Sequence, residues 1–534
     1  MSTRGRWEIG EISPGSFSRT RSTVESAFHG NNVELVASRR EAYKLALRSP
    51  GTVELDMPVL DPELLNLDEG TKVLLFNDGA TVGRFAGARR VIGQPGVQVD
   101  QLAEVLREAV YRTRSRRMYH GMAYMGLHRD FMVRAHILIP EGYENNLYNW
   151  LLNFQDLTPE YSRMYRESRF LGEPDVCVFT DPDWTHPSFP GGLAVFDPEN
   201  NCGALLGMRY FGEFKKGTLT LGWSVANRQG YLACHGGLKR YHLPRGNFVA
   251  AFFGLSGSGK STLTHARHRG EHRITILHDD ALVVNLDDLS SVALEPSYFD
   301  KTSDYPCGSP DNRYLLSIQN CGVTLDSMGR RVPVMEDVRN GNGRAIKSRL
   351  WSPDRVDRID DPLDAVFWIM KDPVLGAAMG ATLATKRSSA ERLASGVDPE
   401  ALVFEPFANP FRTYPLREDY EKFKGIFGRG VRCFVLNTGH FMGRKVPKDL
   451  TLQVLLDVVE GRCGFQGLVG GMDYLPIDGF EPPVDDPGYR EVLRRSLEAR
   501  IRFLGEREEC TGGYDSLPDE CVHAIGDLVA ELGV

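Results

Sequence analysis

Apolar positions along the chain fall into runs of two kinds, and each kind predicts its own element. In Val97–Tyr111 (VQVDQLAEVLREAVY), Leu102, Val105, Leu106 and Val110 recur at helical spacing, which predicts an amphipathic helix. Asp449–Val459 and Tyr489–Phe503 also read as helices. Phe131–Ile139 and Val176–Phe179 are short and rich in branched and aromatic residues, which predicts strands. Leu147–Phe154 fits a short helix or a strand, and Gly217–Val225 (GTLTLGWSV) alternates in places, as a half-buried strand does.

A second group of runs is apolar almost throughout: Asn247–Phe253 (NFVAAFF), Ile274–Leu277 (ITIL), Ala365–Met370 (AVFWIM) and Val431–Leu436 (VRCFVL). Runs of this length without alternation fit strands covered on both faces. Asn247–Phe253 passes straight into Gly254-Leu-Ser-Gly-Ser-Gly-Lys-Ser261 and a helix start at Thr262–Ala266, while Ile274–Leu277 ends at His278-Asp279-Asp280. The second half of the chain therefore reads as an α/β nucleotide-binding domain.

Composition narrows the function classes. The 534 residues carry 63 Lys+Arg against 71 Asp+Glu, a net charge of −8, which excludes nucleic-acid binding through bulk charge. With 42% hydrophobic residues, disorder is excluded as the dominant state, and the length predicts roughly two to four domains. The 9 cysteines are scattered with no CxxC pair, which argues against a disulfide framework or thiolate zinc site. The opening MSTRGRWEIGEISPGS lacks the apolar core of a secretory signal, and no apolar run approaches the ~20 residues of a membrane span. A soluble, cytoplasmic protein is expected, with no nucleic-acid or membrane partner; the oligomeric state is open, with a monomer as the default. No repeat or long linker marks a domain boundary.

Gly254 to Ser261 satisfies the G-x-x-x-x-G-K-[ST] phosphate-loop pattern, with a strand before it and a helix after it. Gly254, Gly257 and Gly259 allow the backbone through Leu255, Ser256, Ser258 and Thr262 to turn its N–H groups toward a phosphate chain. Lys260 is expected to reach the β- and γ-phosphates, and Ser261 to ligate the Mg²⁺ of the nucleotide. A chance Gly-rich turn is the competing reading, and both flanks speak against it. Asp279 and Asp280 would ordinarily be a solvated turn; so close behind a phosphate loop they are candidates for metal chemistry. Neighbours in an extended chain point opposite ways, so one is expected to take a metal directly and the other through water.

Phe252-Phe-Gly-Leu-Ser-Gly-Ser-Gly-Lys-Ser-Thr-Leu263, followed by the Asp pair, closely resembles the ATP-type phosphoenolpyruvate carboxykinases. Tyr210-Phe-Gly-Glu-Phe-Lys-Lys-Gly217 is similar to that family's Tyr-x-Gly-Glu-x-Lys-Lys-Gly, and Cys234-His235 stands where the family has a metal-binding histidine. Glu295-Pro-Ser-Tyr-Phe-Asp-Lys-Thr302 resembles Glu-Gly-Gly-x-Tyr-Ala-Lys-Thr, and Asn342-Gly343-Arg344 resembles Asn-Thr-Arg. Asn437-Thr438-Gly439, with Lys445 and Thr451, looks like the stretch on the adenine and ribose side.

The resemblance implies a two-lobed α/β fold: an N-terminal substrate-binding lobe over 1–233, and a C-terminal nucleotide- and metal-binding lobe over 234–534. It implies ATP, Mg²⁺ and Mn²⁺, with Lys216, His235 and Asp280 on the Mn²⁺ and Ser261 on the Mg²⁺. A ligating lysine must be neutral, a state that burial beside a divalent ion favours. Arg84, Tyr210, Lys216 and Arg344 would bind a carboxylate substrate; Lys260, Arg344, Lys216 and Asp279 would be catalytic; Lys301, Lys445 and Thr451 would join the loop on the nucleotide. The family reaction decarboxylates oxaloacetate and phosphorylates the resulting enolate to phosphoenolpyruvate.

Three places depart from the family's letters. Arg84 is followed by Phe85-Ala86-Gly87-Ala88 where the family has Ser-Pro-Lys-Asp; Asp280 is followed by Ala281-Leu282 where it has an acidic residue and His; His235 is followed by Gly236-Gly237-Leu238-Lys239 where it has Cys-Ser-Ala-Asn. Substrate-handling groups are altered more than phosphate-handling ones. Two rivals follow: a kinase of this fold acting on another small carboxylate or hydroxyl without decarboxylation, and a nucleotide-binding regulatory protein without turnover.

Overall fold

Gly246–Gly254, Ala365–Met370 and Arg432–Asn437 lie side by side as parallel strands, a position that demands apolar residues on both faces. In this computed structural model, which describes residues 18–77, 86–254, 257–336, 343–371, 374, 378–380, 409–470 and 472–533, both faces are covered. Phe252, Phe367 and Phe434 stack across one face, with centroids 5.5 and 5.2 Å apart. On the other face Phe253 and Trp368 meet at 5.3 Å, and Phe423 of the helix Leu416–Gly428 packs on both. The helix Lys448–Glu460 covers the first face with Val454, Leu455, Val458 and Val459.

Among the described residues these strands form the middle of an eight-stranded sheet. Its order is Arg273–His278, Gly237–Leu243, Gly246–Gly254, Ala365–Met370, Arg432–Asn437, Ala378–Gly380, Met472–Tyr474 and Gln466–Val469. An antiparallel sheet of Tyr231–His235, Ala281–Asn285, Ser291–Ala293 and Arg358–Ile359 belongs to the same unit, which comprises Ala226–Ala293 and Asp354–Val534.

The other unit comprises Met1–Val225 and Leu294–Pro353. Its larger sheet runs Val33–Val36, Met118–His128, Phe131–Pro140, Val176–Asp181, Cys202–Leu206, Leu193–Asp197 and Arg89–Val91, with Gln155–Asp156 beside Met118–His128. The smaller runs Tyr298–Lys301, Arg344–Lys347, Leu315–Gln319, Lys72–Phe76 and Thr52–Pro58. Leu315–Gln319 pairs in parallel with Lys72–Phe76, so Leu294–Pro353 groups with the N-terminal residues and not with one continuous block over 234–534. Pairing across that sequence distance leaves no local mark in the chain.

The helix expected at Val97–Tyr111 spans Val99–Thr113, with Leu102, Val105 and Leu106 buried. The ambiguous Leu147–Phe154 lies largely in a helix, Glu144–Asn153. Gly217–Val225 is not a strand: it belongs to the helix Phe211–Arg228. That helix is buried on nearly every side, Phe214, Thr218, Leu219, Leu221, Trp223 and Val225 included, and a helix covered all round shows no 3.6-residue period. Its hydroxyls bond within the helix, Thr218 Oγ1 to the Phe214 carbonyl at 2.8 Å and Ser224 Oγ to that of Thr220 at 2.7 Å. No helix among the described residues is long and apolar enough to cross a membrane, and no disulfide joins the cysteines there.

In the larger sheet of the N-terminal unit, His120 Nε2 lies 2.9 Å from His136 Nδ1, and His136 Nε2 lies 3.0 Å from Asp175. Burial, reinforced by His136 and His29, pushes the His120 imidazolium down to about 3. The unfolded chain takes up this proton near the ordinary histidine value of about 6.5, so stability is full above that pH and declines as pH falls toward the folded value. The urea midpoint should therefore drop more steeply between neutral pH and about pH 4 in wild type than in His120→Gln. Parallel profiles for the two proteins would refute the assignment.

Candidate active site

The strand Gly246–Gly254 ends where a Cβ on Gly254 would stand 2.5 Å from the carbonyl oxygen of Ile369, a closeness only glycine tolerates. Gly257 and Gly259 follow with φ of 72° and 105°, and a side chain on either would project into open space. At these two positions the backbone lies bare to open space. Gly259 starts the helix Lys260–His265, and Lys260 Nζ donates to the Gly254 carbonyl at 2.9 Å. Thr438 Oγ1 donates to the Ser258 carbonyl at 2.9 Å, tying the loop to the end of the strand Arg432–Asn437. Ser258 is buried, whereas Ser261 and Thr262 are exposed. Leu255 and Ser256 lie outside the described residues.

One strand away, Arg273–His278 leads into the Asp279-Asp280 turn. His278 is fully buried, and its Nδ1 accepts the N–H groups of Asp280 and Ala281 at 3.1 and 3.3 Å, so the turn is organised around an imidazole. Asp280 Oδ1 lies 2.8 Å from His235 Nε2, and Phe411 meets the His235 ring edge-on at 5.2 Å. Asp279 Oδ2 instead lies 3.3 Å from Nε2 of His265, on the loop helix. The two acids diverge, as neighbours in an extended chain must. An imidazole and a carboxylate, two of the three donors expected for a transition metal, are thus in contact. Among the described residues, no three His, Cys, Asp or Glu side chains converge as a metal-binding group.

The glycines after His235 have a packing reason. A Cβ on Gly236 would lie 2.5 Å from the Phe252 carbonyl oxygen, and one on Gly237 would lie 1.8 Å from Thr264 Oγ1. Both follow from how tightly this strand seats against the loop strand and loop helix. His265 and His278 escaped the sequence reading as site residues, because a histidine packed against a turn has no spacing rule that separates it from core.

In the N-terminal unit, Tyr210 precedes the helix Phe211–Arg228 and meets Arg344, whose guanidinium carbon stands 5.9 Å from the phenol centroid. Phe299 packs against Tyr210 at 6.4 Å. Arg344 lies directly opposite Lys301 on paired antiparallel strands, half-buried where Lys301 is exposed. Lys216 is half-buried, with Nζ 5.7 Å from the Trp223 ring centroid. Tyr210, Lys216, Arg344 and Lys301 therefore belong to this unit, and His235, Asp280 and the loop to the other. Arg84 and Asn342 lie outside the described residues. Lys445 is exposed, while Thr451 is buried and donates its hydroxyl to the Pro447 carbonyl at 3.4 Å.

Lys215, next to Lys216, is fully buried in an ion pair with Glu295 at 3.0 Å, and Asn153 also donates to that carboxylate. The pair anchors the lysine-bearing helix to the start of the Glu295–Thr302 block. Removing one partner strands the other charge at a cost of about 3–5 kcal/mol, whereas replacing both costs far less. Lys215→Met is expected to lose stability in that range, and Lys215→Met/Glu295→Gln to recover most of it in urea unfolding. Strictly additive losses would disprove the coupling.

Compared with known proteins, residues 93–292 match the phosphoenolpyruvate carboxykinase family, ATP type. A phosphoenolpyruvate carboxykinase (ATP) of Aeropyrum pernix is 25% identical over 342 residues, 55% of this chain and 65% of that protein. A glycosomal phosphoenolpyruvate carboxykinase (ATP) of Trypanosoma brucei brucei is 33% identical over 103 residues, 18% of this chain and 21% of that protein. A phosphoenolpyruvate carboxykinase (ATP) of Dictyostelium discoideum is 23% identical over 214 residues, 36% of each chain. The chain thus spans 65% of the length of the Aeropyrum protein and less of the other two. The matched residues include the Tyr210–Gly217 stretch, His235, the Gly254–Ser261 loop and the Asp279-Asp280 pair, and over this stretch the chain is similar to the ATP-type phosphoenolpyruvate carboxykinases.

Proposed function

We propose that the protein transfers the γ-phosphoryl group of ATP to a small carboxylate in the manner of that family. Oxaloacetate loses CO₂, and the oxygen of the resulting enolate takes the phosphoryl group, giving phosphoenolpyruvate and ADP. The observation that carries this reading is the presence, in one unit, of the glycine cradle with Lys260 and of His235 in contact with Asp280 at 2.8 Å. A nucleotide-binding protein without turnover has no use for that second donor pair.

On this reading Gly254 to Thr262 hold the phosphates through backbone N–H groups, and the Lys260 ammonium leaves its bond to Gly254 to neutralise the β- and γ-oxygens. Tyr210 and Arg344, with Arg84, bind the substrate carboxylate, for which a planar guanidinium is suited. Lys301, Lys445 and Thr451 are assigned to the nucleotide, and Asp279 to the metal's water. Lys216, His235 and Asp280 would hold Mn²⁺, and Ser261 would hold Mg²⁺; the donors fit, because imidazole, amine and carboxylate suit a transition ion and a hydroxyl suits Mg²⁺. Bound there, the ions supply Lewis acidity toward the keto oxygen and neutralise phosphate charge. A two-lobed fold and a cytoplasmic location are part of the same proposal, although two trypanosomal relatives are named as glycosomal.

A second reading, phosphorylation of another small carboxylate or hydroxyl without decarboxylation, is favoured by the substrate side. Phe299 stands where the family has Tyr and packs on Tyr210, and the residues after Arg84 differ. Incubation with γ-labelled ATP, Mg²⁺ and Mn²⁺ against oxaloacetate and a panel of hydroxy and keto acids separates the two. Label in phosphoenolpyruvate with release of CO₂ is expected. A labelled hydroxy acid would move the assignment to the second reading, and label in no product would reject both. Lys260→Ala should abolish transfer, since the phosphates lose their main protein cation.

The two metals should be separable. His235→Gln or Asp280→Asn is expected to lose high-affinity Mn²⁺ binding, followed by electron paramagnetic resonance, while MgATP binding persists. Full activity with Mg²⁺ alone and a silent His235→Gln would remove the Mn²⁺ site from the mechanism.

A further inference from the structure

Lys239 lies on Gly237–Leu243, the strand beside the loop strand, and is fully buried. Its Nζ donates to the carbonyl oxygens of Leu263 at 2.6 Å and Ala266 at 3.1 Å. Those carbonyls lie at the C-terminal end of the helix Lys260–His265, where the helix itself supplies no donor. The rings of Tyr241 and Phe252 stand 4.8 and 5.5 Å from the same nitrogen. Burial, with Arg267, pushes the Lys239 pKa down. The amine donates to both carbonyls whether or not it carries a charge, so the two bonds hold it at the end of the helix.

The loop helix has 6 residues, and Lys260 and Ser261 form its first turn. A helix so short has no stability of its own, so the direction of its first turn is set by what grips its two ends. Thr438 holds the loop at the N-terminal end through Ser258, and Lys239 holds the other end. We infer that Lys239 is a positioning residue for the nucleotide phosphates, fixing the helix Lys260–His265 from behind and, through it, the Lys260 ammonium and the Ser261 hydroxyl. This inference rests on the phosphate-loop reading above and adds to it a residue that the nucleotide never meets. It also gives a purpose to the lysine found at the fourth position after His235, where the family has Asn.

Lys239→Met keeps the apolar stem and removes the donors; Lys239→Gln keeps a shorter donor. Both are compared with wild type and Lys260→Ala in the full chain, by calorimetric titration with MgATP and by steady-state kinetics in each substrate. Lys239→Met should weaken MgATP by about ten-fold or more and raise the KM for ATP in step, with a smaller effect in Lys239→Gln, while the KM for the carboxylate stays within about two-fold. A merely structural role would lower the active fraction and leave both KM values unchanged; that result, or an equal rise in both, overturns the inference. Should Lys239→Met fail to accumulate as folded protein, amide hydrogen exchange in Lys239→Gln decides. Faster exchange confined to residues 260–266, together with weaker MgATP binding, supports the inference, and wild-type values of both overturn it. If Lys260→Ala leaves MgATP binding and turnover intact, the phosphate-loop reading falls and this inference with it. If Lys260→Ala is impaired and the Lys239 variants are not, only this inference falls.

Discussion

Two-sided burial of the strand Gly246–Gly254 is the constraint on which the site depends. Held between Gly237–Leu243 and Ala365–Met370, with aromatic rings on both faces, this strand cannot shift without unstacking Phe252 from Phe367 or Phe253 from Trp368. Its C-terminal end is therefore a fixed point, and the loop springs from it. Gly254 is pressed against the Ile369 carbonyl and Gly237 against Thr264, so the loop and its helix inherit the rigidity of the sheet. Groups that must meet phosphate oxygens at hydrogen-bond distance need a support of this kind.

Three buried polar groups of the chain each have a specific partner. Lys239 is given two carbonyls, Lys215 a carboxylate, and His278 two backbone N–H groups. Each holds an element that carries a proposed site residue: the loop helix, the helix of Lys216, and the turn of Asp280. Leaving any of them unsatisfied would cost more than an apolar side chain in its place, so their presence at these positions is better explained by placement than by stability. In the other unit Arg344 and Tyr210 are brought together from distant parts of the chain.

The departures from the family's letters now divide into two kinds. Gly236, Gly237 and Lys239 are explained by packing against the loop strand and helix. Phe299 stands where the family has Tyr and packs against Tyr210.

By itself the sequence determined the features whose cause is local. A strand–glycine–lysine run specifies its own turn, an unbroken apolar run announces a strand covered on both faces, and spacing at 3.6 residues announces the helix Val99–Thr113. Only the tertiary structure decided what depends on distant partners. It made Gly217–Val225 helical, because a helix buried all round carries no periodic signature. It placed Leu294–Pro353 in the N-terminal unit through pairing with Lys72–Phe76, and it made Lys215 and Lys239 buried anchors. A charged residue is buried only when its partner arrives from elsewhere in the chain, and no local pattern records that arrival.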